Sequence, residues 1–404
     1  MNTTLPSATL RSAGGLPFLI TALVGRLPAA MVQLGYLMVL SQSGYGLATS
    51  GLAVGAVGLG TATGAPAVGR LVDRFGPLPV LSGATALSAL GQLTFIALLL
   101  RDAPAAPLLG CAAIVGLANP QIGPVARSHW SHLAVRLRAP HLVNRAMGYE
   151  GAVDETSFVV GPILASLLVS LFGPAPAAAT ILGCTLALQG LFLAHLWLDR
   201  ANWHQESPHT ATHATSASAS TRILWPMAAC LGVGIMFGST QTALTALFEQ
   251  RGTPALTGII YGCVGIGSGI SSLAAGRLPR GWAIPMRIGG GALAMIAGAL
   301  AMLQLPPSGV AALVALVLGA GAGIVLVSAF SWMERIAPRD RVATMMTLLA
   351  TCLTLGVSIG AAIAGRLAHV PAHGFWPVAA SGVLGLVGAL GMHLSRGRRQ
   401  PGVV

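Results

Sequence analysis

The chain has 404 residues, of which 54% are hydrophobic and only 8% charged, with a mean hydropathy of +0.77. Soluble domains carry about 25% charged residues, so this composition excludes a water-soluble globular protein and points to a polytopic helical membrane protein. A formal net charge of +12 would suggest a nucleic-acid partner in a soluble chain, but the placement of the charge excludes that reading.

Apolar blocks of about 20 residues, the length that crosses a bilayer, recur along the whole chain. After an expected N-terminal tail, 1–14, they place spans near 15–40, 46–68, 78–100, 106–128, 147–172 and 176–198. Arg11 precedes the first block without a short hydrophobic region and cleavage site, so the first span is expected to stay in the mature protein. A second set follows near 223–248, 255–276, 286–305, 309–332, 342–366 and 375–396, with a tail at 397–404. The polar run 199–222, rich in Ser, Thr, Ala and His, reads as a flexible cytoplasmic linker between two six-helix bundles, 15–198 and 223–396.

All 22 basic residues are arginine, and most fall in every second loop: Arg70 and Arg74; Arg136, Arg138 and Arg145; Arg277, Arg280 and Arg287; Arg335, Arg339 and Arg341. The alternate loops hold single arginines such as Arg101 and Arg251. This asymmetry makes the Arg-rich loops, and with them both termini, cytoplasmic in a plasma (bacterial inner) membrane protein. The five cysteines lie in five different apolar blocks with no CxxC pair, and read as small buried hydrophobes.

The two sets are repeats. "GAVGLGTATGAPAVGRL" at 55–71 aligns without gaps with "GCVGIGSGISSLAAGRL" at 262–278, an offset of 207 residues. Such symmetry suggests a transporter whose substrate is handled near mid-membrane between related bundles.

Between the second and third spans stands "GRLVDRFG", with Gly69, Asp73, Arg74 and Gly76 in a G-x-L-x-D-R-x-G pattern. On these residues the chain resembles the major facilitator superfamily along essentially its full length. The resemblance implies twelve transmembrane helices in two pseudo-symmetric bundles, and a cytoplasmic latch of Asp73 against the eleventh span near Arg341. In the fifth span Gly148, Gly161 and Pro162 partly resemble the motif of drug:proton antiporters, with Gly161-Pro162 as an expected hinge. The arginine expected in that family's fourth span is Asn119 here.

The fifth span also holds Glu150, Asp154 and Glu155, three of only ten acidic residues in the chain. On an insertion scale three mid-span acids cost about 8–10 kcal/mol, more than the span's apolar residues return, so these groups must face protein or water. Glu150 and Asp154 are four apart and share a helix face. Arg26 and Arg127 supply the partners: Arg26 with Asp154 or Glu155, and Arg127 with Glu150. The repeat-equivalent positions are Leu349, Leu353 and Thr354, so the bundle does not need charge there. Three roles stay open: static bracing, proton coupling by a titrating carboxylate, and contact with a cationic or polar substrate.

Gln33, Tyr36, Asn119, Gln121, Gln241 and Tyr261 are candidates to line a cavity. His204, His209 and His213 have no metal-ligand spacing, and no metal or cofactor is expected. No phosphate-binding loop stands out. The sequence thus predicts a monomeric secondary transporter, not an enzyme, exchanging a small organic molecule against protons across the lipid bilayer. Proton-linked nutrient uptake is the alternative, with a lipid-modifying membrane enzyme or a transport-inactive sensor further off.

Overall fold

The computed structural model describes residues 10–137, 141–200, 221–275, 282–336 and 342–396, and these are helical throughout apart from short turns. The first half runs α1 (Leu10–Val24), α2 (Leu27–Leu40), α3 (Gly46–Phe75), α4 (Pro77–Leu99), α5 (Ala105–Leu117), α6 (Ile122–Arg136), α7 (His141–Phe172), α8 (Pro174–Cys184) and α9 (Gly190–Leu198). The second half runs α10 (Thr221–Gln250), α11 (Leu256–Ala275), α12 (Ile284–Leu303), α13 (Ser308–Ile336), α14 (Val342–Leu367) and α15 (Trp376–Arg396). Most of the expected linker, from 201 to 220, and the tails 1–9 and 397–404 lie outside the described residues, as do the three linker histidines.

Eleven helical stretches are long and apolar enough to cross a membrane. The first, Gly14–Phe75, is 62 residues long, about three times the length a bilayer needs. It turns back at a π-helical segment, Ser41–Tyr45, where Gly44 and Gly46 take φ of 86° and 75°. The turn divides it into one arm of α1 and α2 and a second arm of α3. Only glycine adopts such angles without a Cβ clash, which is why the reversal falls here. Gly76-Pro77 and Gly173-Pro174 do the same work at other reversals. Each glycine, at φ 84° and 83°, closes one helix, and each proline opens the next where its missing N–H is not needed.

Two expected continuous spans are broken instead. The first divides at Gly25 and Arg26, because Pro28 cannot donate to the preceding turn. The fourth divides at Ala118–Gln121, because Pro120 lacks a donor and pushes Asn119 out of helical geometry. By contrast α7 runs unbroken through Gly161-Pro162. Gly161 there admits Ala30 of α2, to which a Cβ would come within 2.6 Å. The expected hinge is a close-packing point in this conformation.

The buried residues form separate cores, one drawn wholly from residues 229–392 and two drawn from the first half, to which the second half adds Ala361 with Val357 packed beside it. Their packing repeats as the sequence does. Gly60 and Gly116 seat α3 on α5 against Ala113 and Val57, and Gly267 and Gly319 seat α11 on α13 against Leu316 and Val264. The halves meet along two seams, α3 with α14 and α7 with α11. On the first, Gly51 and Gly58 lie against Ala361 and Ser358; on the second, Gly258 and Gly262 lie against Pro162 and Ile163. These seam contacts between the halves sit toward the Gly44–Gly46 end of the molecule. We call it the far end, as opposed to the Arg-rich end marked by Arg70, Arg74 and Arg136.

Candidate functional site

The acid cluster lies where both helix breaks meet α7. Glu150 is fully buried and receives three donors: Arg26 Nη2 in an ion pair with Oε2, Trp130 Nε1 at 2.8 Å to Oε1, and Arg26 Nη1 at 3.4 Å to its carbonyl. Trp130, itself buried, is fixed by Phe18 edge-on at 5.2 Å and by the close approach of Gly14. Tyr149 ties α7 to α1 by donating to the Leu19 carbonyl at 2.8 Å. Arg26 also donates through Nη1 to Asp154 Oδ1 at 2.9 Å, and Arg127 Nη2 pairs with Asp154 Oδ2. Both guanidiniums lie over Gly123, where a Cβ would stand at ordinary contact distance, 3.6 Å, from each.

The four charges therefore form a graded chain. Exposure rises from 0% at Glu150 and 8% at Arg26 to 31% at Asp154 and 37% at Arg127. The inner pair is sealed and held by an indole; the outer pair reaches open space. Unlike the sequence expectation, Arg127 pairs with Asp154 and not with Glu150. Acids one turn apart on α7 stand about 5.4 Å apart along the axis, and the break at Gly25–Arg26 lets a single guanidinium reach both. The Glu155 side chain lies outside the described residues.

That open space is a cavity of about 840 Å3 between the halves. Its walls are the second half of α3 from Thr61 to Asp73, Gln121 just before α6, Arg127 and Ser128 within α6, and α14 with Met346, Ala350, Thr351 and Thr354. Toward the far end, past Thr61 and Thr354, the same two helices α3 and α14 are in glycine-mediated contact. Toward the Arg-rich end the cavity reaches Gly69 and Asp73, both exposed. It is open there and shut at the far end.

The remaining predicted residues divide. Gln121 lines the cavity and donates to the Asn119 carbonyl at 3.0 Å. Asn119 borders a side chamber of about 20 Å3, with Gln92, Thr185 and Gln189, which has room for about one water. Gln33, Tyr36, Gln241 and Tyr261 line neither space. Tyr36 stacks on Phe95 at 4.1 Å inside the first-half core, Tyr261 packs on the second-half core, Gln241 is buried along α10, and Gln33 is half-buried on α2. The two tyrosines pack inside single bundles. Asp73 makes no ion pair among the described residues, and its expected partner Arg341 lies outside them. Arg74 lies over the Phe75 ring at 5.1 Å, and Gly76 donates to the Val72 carbonyl at 2.8 Å as the cap of α3. No group of three or more metal-ligating side chains occurs among the described residues.

Sequence reasoning missed Trp130, Gly123 and the far-end residue Glu249. The spacing Arg127-x-x-Trp130 was a usable signal, since residues three apart share a helix face. Gly123, four before Arg127, was another.

Residues 18–361 match the sequence profile described as Major Facilitator Superfamily. Curated protein sequences give no match. Among solved structures, the chain is similar to a bacterial homologue of the human lysosomal transporter Spinster in an inward-facing, occupied state. The TM-score is 0.71 at 13% identity, covering 97% of this chain and 98% of that one. It is also similar to a bacterial homologue of the iron transporter ferroportin. The inward-facing form gives 0.67 at 16% identity (95% and 99% covered), and the outward-facing form gives 0.62 at 17% (95% and 99%).

Proposed function

The chain belongs to the major facilitator superfamily and is a membrane transporter of that type, and we propose that it couples export of a small organic molecule to proton entry. The reading rests on one observation: Asp154 is shared by two guanidiniums, and only its outer pair with Arg127 borders a cavity open at one end. The positive-inside asymmetry makes the Arg-rich end cytoplasmic, so the cavity accepts substrate from the cytoplasm. As one polypeptide supplies every wall, a monomer suffices.

A proton on Asp154 removes the charge that holds Arg127, while Glu150 stays locked by Arg26 and Trp130. Losing that ion pair changes the electrostatic surroundings of the Arg127 guanidinium at the cavity wall. That gives the two protonation states different preferred bundle arrangements, which is all that coupling requires. A substrate cation competing for Asp154 would exclude the proton and enforce exchange, in keeping with the antiporter-like Gly148…Gly161-Pro162 pattern.

A second reading has its own support, because Arg127 itself lines the cavity. A substrate anion taking Arg127 would leave Asp154 to bind a proton, and the two would travel together as proton-linked uptake. Proteoliposomes decide between them. Compounds that raise the melting temperature of the purified protein are loaded inside or outside, and flux is followed under an imposed pH gradient. Acid on the side opposite the substrate drives export against protons; acid on the same side drives uptake. Flux indifferent to the gradient overturns both.

A further inference from the structure

At the far end a second carboxylate joins the bundles. Ser41 Oγ, in the turn between α2 and α3, donates at 2.6 Å to Glu249 Oε2, next to last in α10. The contact crosses between halves beside the seams that shut this end. Only one of the two carboxylate oxygens is served: Glu249 Oε1 is buried with no partner, and so is the amide nitrogen of Gln42, beside Ser41.

Among the described residues no cation pairs with it. The titratable groups on the elements packed around this end are Tyr36 and Tyr45, Arg101 and Asp102, Tyr261, Arg251, Arg366, His369 and His373, and none of them is seen to bond or pair with Glu249. Tyr45 donates to the Ala103 carbonyl, and Arg251 donates to the carbonyls of Leu305 and Pro306. Arg366 turns back to Ala362, while His369 sits against the Arg366 carbonyl and the His373 ring. The contrast with Glu150 is direct, since that buried carboxylate has Arg26 and Trp130.

The internal repeat supplies an independent pointer. Adding the offset of 207 to Gln42 gives 249, so the first half carries a neutral amide where the second carries the acid. An amide is the isostere of a protonated carboxyl. The fold uses the neutral form on one side of the pseudo-symmetry axis.

We infer that Glu249 is a proton-binding site of the transport cycle: the far end shuts around the neutral acid and opens when the carboxyl is ionised. Closure strips water from a group with one hydroxyl donor, which an uncharged carboxyl tolerates and a carboxylate does not. Opening rehydrates it. Protons on the far side thus return the emptied carrier to the state seen here, whatever Asp154 does.

The test uses the full chain with Asp154→Asn throughout, so that no response can come from that residue. Spin labels on Ala106→Cys and Thr253→Cys, exposed far-end positions on opposite halves, are read by double electron–electron resonance after alanine replaces the native cysteines. Between about pH 8 and about pH 5, which brackets ordinary and raised carboxyl titration, the short-distance population should grow severalfold on acidification. Glu249→Gln should hold that population high at every pH. Glu249→Asp and Ser41→Ala, which keep a carboxyl, should keep the response. A pH response that survives Glu249→Gln overturns the inference, as does no response in the parent. So does a shift produced by sodium at constant pH, which would make this a metal-cation site.

Discussion

Arg127 and Asp154 form an ion pair at the edge of the inter-bundle cavity, and the other oxygen of Asp154 belongs to Arg26. Asp154 thus links the sealed Arg26–Glu150 pair to Arg127, which lines the cavity. Replacing Arg127 by Leu should leave the fold intact, because Asp154 keeps its hydrogen bond from Arg26 and is 31% exposed. It should lower gradient-driven transport by about tenfold or more, the equivalent of about 1.4 kcal/mol or more. Melting temperature and initial flux, measured on the same preparation, check both halves of this expectation.

The inner pair should behave in the opposite way. Arg26→Met leaves Glu150 buried with only the Trp130 indole, and breaking one partner of a buried pair costs about 3–5 kcal/mol. The variant should lose folded yield and melt well below the parent. Adding Glu150→Gln to it should restore much of the loss, since the amide keeps the Trp130 hydrogen bond without the charge. Thermal unfolding of the two variants side by side is the measurement. A double variant no better than the single one would contradict the ledger of charges described above.

Closure at the far end depends on absent side chains. A Cβ on Gly51 would fall on the Ala361 carbonyl, so Gly51→Val should wedge α3 from α14 and deplete the state open to the Arg-rich end. A cysteine at Ala350, exposed on the cavity wall, should then react severalfold more slowly with a membrane-impermeant maleimide applied from that end. An unchanged rate would show that the seam closes elsewhere.

Asp73 has no ion-pair partner among the described residues while the cavity is open at its end. If it latches the bundles only when that end shuts, Asp73→Asn should slow transport by about tenfold yet leave substrate affinity measured in this conformation unchanged. Binding and flux titrations on one substrate separate these effects.

Most of the fold was legible because bilayer length, arginine asymmetry and the 207-residue repeat are one-dimensional signals. Breaks at Pro28 and Pro120 were legible in principle, yet apolar length outweighed them, since prolines elsewhere, as at Pro162, sit inside intact helices. At the site, the sequence identified all four charged residues, because charge within an apolar span must be compensated. It did not set the partners correctly. Which guanidinium meets which acid depends on the turn at Gly25–Arg26 and on the contact over Gly123, and both are three-dimensional facts. Tyr36 and Tyr261 were misassigned for a related reason: a polar group in a span tells only that it is not in lipid, not whether it faces a cavity or a core. Glu249 escaped notice as a helix-end acid, since nothing local shows that Ser41, 208 positions away, closes over it.

The central claim is that Asp154 carries the coupled proton, and Asp154→Asn in proteoliposomes tests it most directly. The account predicts that the variant no longer concentrates substrate under a pH gradient but still exchanges labelled for unlabelled substrate when no gradient is imposed. Undiminished gradient-driven accumulation by a correctly inserted Asp154→Asn protein would contradict it.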